Sequence, residues 1–214
     1  MKRVASFLLA ILMCATLLPA ASAEGETAPK IRWLSSGIWI VDGTFTPCDE
    51  NEWLIPVKDE NGKCGYMNMD GEIVIPLEYD DASSFSEGLA WVKKNGQYGY
   101  INTAGEIVIP LEYDHAWSFS EGLARVWKDG KYGYINTAGE IVIPLEYDYV
   151  GDFSEGLAWV EKNGKYGYIN TAGEIVIPLE YDDAGFFSEG LAVVVKNGKC
   201  GYINTAGEII VPLE

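Results

Sequence analysis

One stretch constrains this chain more than any other: Gly133-Tyr-Ile-Asn-Thr-Ala-Gly-Glu-Ile-Val-Ile-Pro-Leu-Glu-Tyr-Asp148. The same words begin at Gly99 and Gly167, and with small changes at Gly65 and Gly201, each 34 residues from the last. A fixed period of this length is the mark of a repeat architecture, in which one supersecondary unit buries its faces only against its neighbours. Every other motif has to be read inside that frame.

The second copy is representative. Leu89 to Lys94 and Gln97 to Asn102 are rich in apolar and β-forming residues, and Asn95-Gly96 joins them. Asn-Gly is the strongest short hairpin signal, because both residues tolerate φ > 0. Thr103-Ala104-Gly105 reads as a second turn and Glu106 to Ile109 as a third strand, stopped by Pro110, which offers no N–H to a ladder. Leu77 to Gly88 reads as a connector of turn residues with Phe85 as an apolar anchor. The chain thus predicts five three-stranded meanders, starting near Trp53, Leu89, Leu123, Leu157 and Leu191. Residues 31–50 read as a degenerate leading repeat, since Ile38-Trp39-Ile40-Val41 falls one period before Glu72-Ile73-Val74-Ile75.

Alternation of side chains assigns two faces to the second meander. Ala90, Val92, Gly99, Ile101, Ile107 and Ile109 fall on an aliphatic face; Leu89, Trp91, Lys93, Tyr98, Tyr100, Asn102 and Val108 fall on an aromatic one. Both are too apolar for water. About seven large buried side chains at ~1.5–3 kcal/mol each do not offset ~1–2 kcal/mol of backbone entropy per residue, so one unit alone does not fold. The expected fold is all-β: 34-residue three-stranded meanders over 51–214, stacked as an open solenoid. A closed five-unit, propeller-like ring is the alternative.

The amino terminus reads differently. Lys2 and Arg3, an apolar run from Val4 to Leu18 and Ala21-Ser22-Ala23 make residues 1–23 a signal peptide, with 24–30 a short flexible leader. The run is shorter than the ~20 residues needed to span a bilayer. The expected protein is therefore exported, with no integral membrane segment once the signal is removed. Removal takes away two of the 15 basic residues and none of the 32 acidic ones, moving the net charge from −17 to −19. Such a surface repels nucleic acid and anionic lipid. Cys48, Cys64 and Cys200 remain, an odd number; Cys48 and Cys64 are close enough in sequence for a disulfide, and Cys64–Cys200 pairing belongs to the ring.

The repeated Asn-Gly-Lys-Tyr-Gly-Tyr-Ile-Asn-x-x-Gly-Glu-Ile-Val-Ile-Pro and Tyr-Asp-x-x-x-x-Phe-Ser-Glu-Gly-Leu-Ala resemble the WG-repeat family of bacterial tandem β repeats. The aromatic of the family's Trp-Gly pair is here Tyr98, Tyr132 and Tyr166, with Cys64 and Cys200 in the outer units. The resemblance implies an architecture and a binding role rather than a reaction. A weaker likeness to choline-binding and glucan-binding surface repeats, which also build hairpins around Asn-Gly-Lys and aromatic residues, hints at glycans.

No residue pattern points to catalysis, a metal or a cofactor. Glu78, Asp80, Glu112 and Asp114 recur in register and read as turn caps; Asp59-Glu60-Asn61-Gly62 lacks the rest of a calcium loop. His115, at a position that varies between units, reads as a surface-loop residue. The informative comparison is between copies. Two alternate first-strand positions vary: Trp91, Arg125, Trp159, Val193, and Lys93, Trp127, Glu161, Val195. So does the connector, including Trp117. Units that only pack on one another need identical residues, so variation marks partial exposure. The candidate binding residues are Trp91, Lys93, Trp117, Arg125, Trp127 and Trp159, and the expected function is a secreted, non-catalytic binding or scaffolding surface for an extracellular protein. A glycan or cell-wall module, with a neutral glycan as its ligand, is the alternative.

Overall fold

The structure, a computed structural model, describes residues 38–40 and 54–214. The expected signal peptide and leader, Cys48 and the rest of residues 31–50 lie outside the described residues. Among the described residues there are twenty strands, no helix, and five four-stranded antiparallel sheets. The first sheet holds β1 (Ile38–Ile40), β2 (Ile55–Asp59), β3 (Cys64–Met67) and β4 (Ile73–Tyr79). The second holds β5 (Asp81–Ala82), β6 (Leu89–Lys94), β7 (Gln97–Asn102) and β8 (Ile107–Tyr113). The third runs β9 (His115–Ala116), β10 (Leu123–Lys128), β11 (Lys131–Asn136) and β12 (Ile141–Tyr147). The fourth and fifth repeat the pattern: β13 (Tyr149–Val150), β14 (Leu157–Lys162), β15 (Lys165–Asn170) and β16 (Ile175–Tyr181), then β17 (Asp183–Ala184), β18 (Leu191–Lys196), β19 (Lys199–Asn204) and β20 (Ile209–Val211).

The sequence predicts meanders of three strands; the sheets have four. The extra strand comes from the connector. Asp81 and Ala82 pair with Lys93 and Val92, and the same two positions do so in later units. A single residue, Asp80, separates β4 from β5, so the chain enters the next sheet directly. Ile38–Ile40 plays the opening role in the first sheet, pairing with Val57, Lys58 and Asp59.

Pro110 does not stop the third strand. β8 continues through it to Tyr113, because the pairing of β7 with β8 is irregular there: Tyr98 faces Tyr113, Tyr100 faces Ile109, and Ile101 faces Ile107. At this bulge the strand needs no N–H from residue 110. The register shift also corrects the faces. Ile109 joins Tyr100 on the aromatic side and is buried, whereas Ile107 is 54% exposed. Gly99 is required by the same crossing, since a Cβ there would lie 2.6 Å from both the Ile109 and Pro110 carbonyl oxygens. The pair that marks each unit is thus a side chain on the stacking face, Tyr in the three inner units and Cys in the outer two, followed by a glycine where the third strand lies on the backbone.

Stacking is aromatic face on aliphatic face. Leu89, Tyr98, Tyr100, Ile109 and Tyr113 of the second unit form one buried cluster with Ala116, Phe119, Ala124, Val126 and Ile135 of the third, and the other interfaces follow suit. At each interface one fully buried tyrosine hydroxyl donates to a carbonyl of the next unit: Tyr66 to Ser83 (2.7 Å), Tyr100 to Trp117 (2.8 Å), Tyr134 to Gly151, Tyr168 to Gly185 (2.8 Å). A second clamp is built on a costly backbone. Glu87, Glu121 and Glu155 have φ near 54°, a region most side chains avoid. Their carboxylates accept from the Gly122, Gly156 and Gly190 amides of the following unit. The Asn-Gly hairpins behave as expected, with Asn95 at φ 55° and Gly96 at 85°. The first hairpin is one residue longer, since Val57 faces Gly65 where Val92 faces Gly99; the Asp59 carboxylate accepts from the Asn61 and Lys63 amides to close it.

The array is open. Tyr66, Tyr100, Tyr134 and Tyr168 are 0–1% exposed, but Tyr202 is 45% exposed; Leu89, Leu123 and Leu157 are 7–8% exposed, but Leu191 is 36%. A ring would cover the fifth unit with the first and bury both.

Candidate functional site

The varying first-strand positions, with the varying connector residues of the next unit, converge on one edge of the stack. β6 positions Trp91 and Lys93 opposite Tyr100 and Tyr98; β10 positions Arg125 and Trp127 opposite Tyr134 and Tyr132. The short opening strands bring the connector residues alongside. From there an unbroken run of ring contacts crosses three units. Trp91 meets Tyr98 (5.5 Å), Tyr98 stacks on His115 (4.6 Å), and His115 stacks on Trp117 (4.2 Å). Trp117 reaches Tyr132 (5.8 Å), which also meets Trp127 (6.2 Å) and Tyr149 (5.8 Å). All four tryptophans of the candidate set are half-buried.

Charges are laid onto the rings rather than between them. The Lys93 ammonium sits 5.0 Å from the Tyr98 centroid and the Arg125 guanidinium 4.4 Å from that of Trp117. Arg125 also donates from Nη1 to the Val150 carbonyl (3.1 Å). Its Nε lies 3.1 Å from Asp152 Oδ1 but off the line of a hydrogen bond, so that contact is an ion pair. Trp117 is therefore packed by both His115 and Arg125. Beside them is a depression of about 330 Å³, lined by Trp91, Trp117, Ser118, Phe119, Ser120 and Asp152.

Five of the six predicted residues, Trp91, Lys93, Trp117, Arg125 and Trp127, share this band. Trp159 is placed differently. Its ring meets Tyr166 (5.7 Å) and Phe186 (6.1 Å) and lies on Gly151, where a Cβ would come within 2.4 Å of its Nε1. Sequence reasoning missed His115 and Asp152. His115 is not in a loop but in β9, and burial, reinforced by Lys93 and Arg125, holds its imidazole below the ordinary value of 6.5. Its variation between units was the available signal. Asp152 also stands at a varying connector position, the counterpart of Ser84, Ser118 and Phe186, so the same signal marked it; only folding sets it against Arg125.

The recurring carboxylates are engaged in the scaffold. Asp80 accepts from the Asn95 amide (2.8 Å) and from Lys63 (2.6 Å), and its carboxyl is held below the usual range by those bonds, Lys63 first. Glu78, Glu112, Glu146 and Glu180 pair across sheets with Lys94, Lys128, Lys162 and Lys196. Among the described residues no three His, Cys, Asp or Glu side chains converge on a point that could hold a metal ion. Nor is any helix there long and apolar enough to cross a membrane. What the band offers is recognition chemistry: flat apolar area, a guanidinium, a carboxylate and two serine hydroxyls.

The description of the WG containing repeat matches five times in succession, over residues 65–98, 98–132, 132–166, 166–200 and 201–214. The chain belongs to that family. Its copies run in the phase set by the aromatic-Gly pair, so the WG unit of the family is the sheet described above, cut at the second strand. No protein with a curated description matches the sequence. Among solved structures, Hsv2 of Kluyveromyces lactis with its complete loop 6CD aligns at a TM-score of 0.45 and 6% identity, over 76% of this chain and 59% of that one. A plant lectin with two metal binding sites from Cicer arietinum aligns at a TM-score of 0.26 and 13% identity, over 62% of this chain and 91% of that one. The WG chain spans about three fifths of the Hsv2 length.

Proposed function

We propose that this WG array is an exported, non-catalytic binding module that presents the band from Trp91 to Tyr149 to an extracellular protein. The observation that carries the reading is the coincidence of variation with clustering. Residues that differ between otherwise identical units gather into one half-buried surface rich in Trp, Tyr and Arg, the side chains that dominate protein hot spots. The strongly acidic remainder of the chain favours a partner with a basic rim.

The depression beside Trp91 favours a second reading, a neutral glycan, because an indole face with Ser118, Ser120 and Asp152 around it matches the apolar and hydroxyl faces of a sugar ring. Capture experiments on the secreted milieu with the wild type, Trp91→Ala and Trp127→Ala, together with tryptophan-fluorescence titration by neutral oligosaccharides, separate the two. The protein reading expects a captured partner lost in both variants with no saccharide response. A saturable saccharide quench abolished by Trp91→Ala alone supports the glycan. Unchanged capture by both variants, with no quench, removes this surface from consideration.

A further inference from the structure

The aromatic band crosses from the second unit to the third through the chain's single histidine. Its counterparts Asp81 and Asp183 turn back onto their own backbone, each accepting from the amide of the next residue (3.1 and 2.8 Å). His115 does not. Its imidazole is stacked on Tyr98 of the second unit (4.6 Å, 20°) and on Trp117 of its own (4.2 Å, 30°). Each of those rings already carries a cation, the Lys93 ammonium on Tyr98 and the Arg125 guanidinium on Trp117. The series runs Lys93, Tyr98, His115, Trp117, Arg125, with a titratable ring at its centre.

A neutral imidazole suits this position and an imidazolium does not. Nδ1 is sealed from water and meets no acceptor in hydrogen-bonding geometry. The neutral ring can leave a bare lone pair there, with its proton on Nε2, but the imidazolium must place a donor at both nitrogens, one of them buried and unsatisfied. Burial opposes the charge first, and Lys93 from β6 and Arg125 from β10 add to it; the Ala116 backbone and Asp81 of β5 favour it. Tyr98 and Trp117 present rings without charge, and Asp152 is engaged by Arg125. We propose that His115 is a proton-released latch: neutral, it holds the rings of the second unit against those of the third; protonated, it leaves the stack, and the band parts between Tyr98 and Trp117. The core beneath, where Tyr100 packs with Phe119 and Val126, does not include His115, so the change is confined to the band. That the latch regulates binding rests on the reading of the band as a docking surface; the latch itself needs no partner.

Proton NMR of the whole chain from about pH 8 to about pH 5, the range in which histidine titrates, tests this, since one histidine gives one set of imidazole signals. At neutral pH the two flanking rings are expected to hold those signals upfield. On acidification the signals are expected to move, with a midpoint below 6.5, to the positions of an unstacked histidine, while the far-UV circular dichroism stays unchanged. His115→Phe keeps a ring but carries no proton, and its near-UV spectrum is expected to lack the change the wild type shows over the same range. A midpoint at or above 6.5 overturns the proposal. So do signals that titrate but stay upfield, a far-UV loss at the same midpoint, or a His115→Phe near-UV spectrum that responds to acid as the wild type does. No partner enters these measurements, so failure of the docking reading shows in the capture experiments alone and failure of the latch shows here.

Discussion

Gly133→Ala tests the geometry on which every sheet depends. A Cβ at Gly133 would lie 2.5 Å from the Ile143 oxygen and 2.8 Å from the Pro144 oxygen. Both are backbone atoms of β12 and cannot swing aside. Reaching ordinary contact near 3.4 Å therefore means moving that strand off β11 by several tenths of an ångström to nearly one. Such a movement weakens roughly two hydrogen bonds at ~1 kcal/mol each. It also partly unpacks Ile143 and Tyr147, buried at the interface with the fourth unit, at ~0.5–1.5 kcal/mol each. The expected cost is about 3–5 kcal/mol. Gly130→Ala is the comparison. Gly130 has φ 81° in the adjacent hairpin with nothing within 4 Å of its Cβ, so only the left-handed backbone is penalised, by about 1–2 kcal/mol. At about 2–4 °C per kcal/mol for a chain of this size, Gly133→Ala is expected to melt roughly 6–20 °C below wild type and Gly130→Ala roughly 2–8 °C below. Differential scanning calorimetry reads both. Equal shifts for the two variants would refute the claim that the third strand crosses directly over this glycine.

Tyr100→Phe removes the donor to the Trp117 carbonyl and is expected to cost about 1–2 kcal/mol, whereas Tyr202→Phe, at the exposed fifth face, is expected to change stability by less than about 0.5 kcal/mol. Chemical denaturation of the two decides it, and an equal loss would contradict the open array. For pH, His115 has its folded value lowered, so the unfolded chain binds the proton more readily; stability is complete well above 6.5 and declines as pH falls through and below that value. His115→Phe is expected to flatten that part of the stability profile. The lowered carboxylates Asp80, Asp148 and Asp182 act in a separate window, their contribution present above 3.8 and lost on further acidification in both proteins. A His115→Phe profile that falls between pH 7 and 5 as steeply as wild type would refute the assignment.

The sequence alone determined the unit, the phase and the strand-turn-strand core of each sheet. These are local matters: Asn95-Gly96 dictates its hairpin through φ, and alternation dictates that Val92 and Trp91 point to opposite sides. It also located the varying positions, because internal copies can be compared without a structure. What only tertiary structure decided depends on contacts between segments far apart. The fourth strand of each sheet, Asp81–Ala82 in the second, is too short to carry a periodic signal and exists because Lys93 and Val92 are there to pair with it. The continuation of β8 through Pro110, and with it the transfer of Ile109 to the aromatic face, follows from a bulge against Gly99 that no propensity encodes. Openness was undecidable from identical repeats, since a ring and a stack use the same internal interface. Only the exposure of Tyr202 and Leu191 distinguishes them. The clustering of Trp91, His115, Trp117, Arg125 and Asp152 is of the same kind: each residue lies in a strand or connector fixed locally, but their meeting is set by how one sheet stacks on the next.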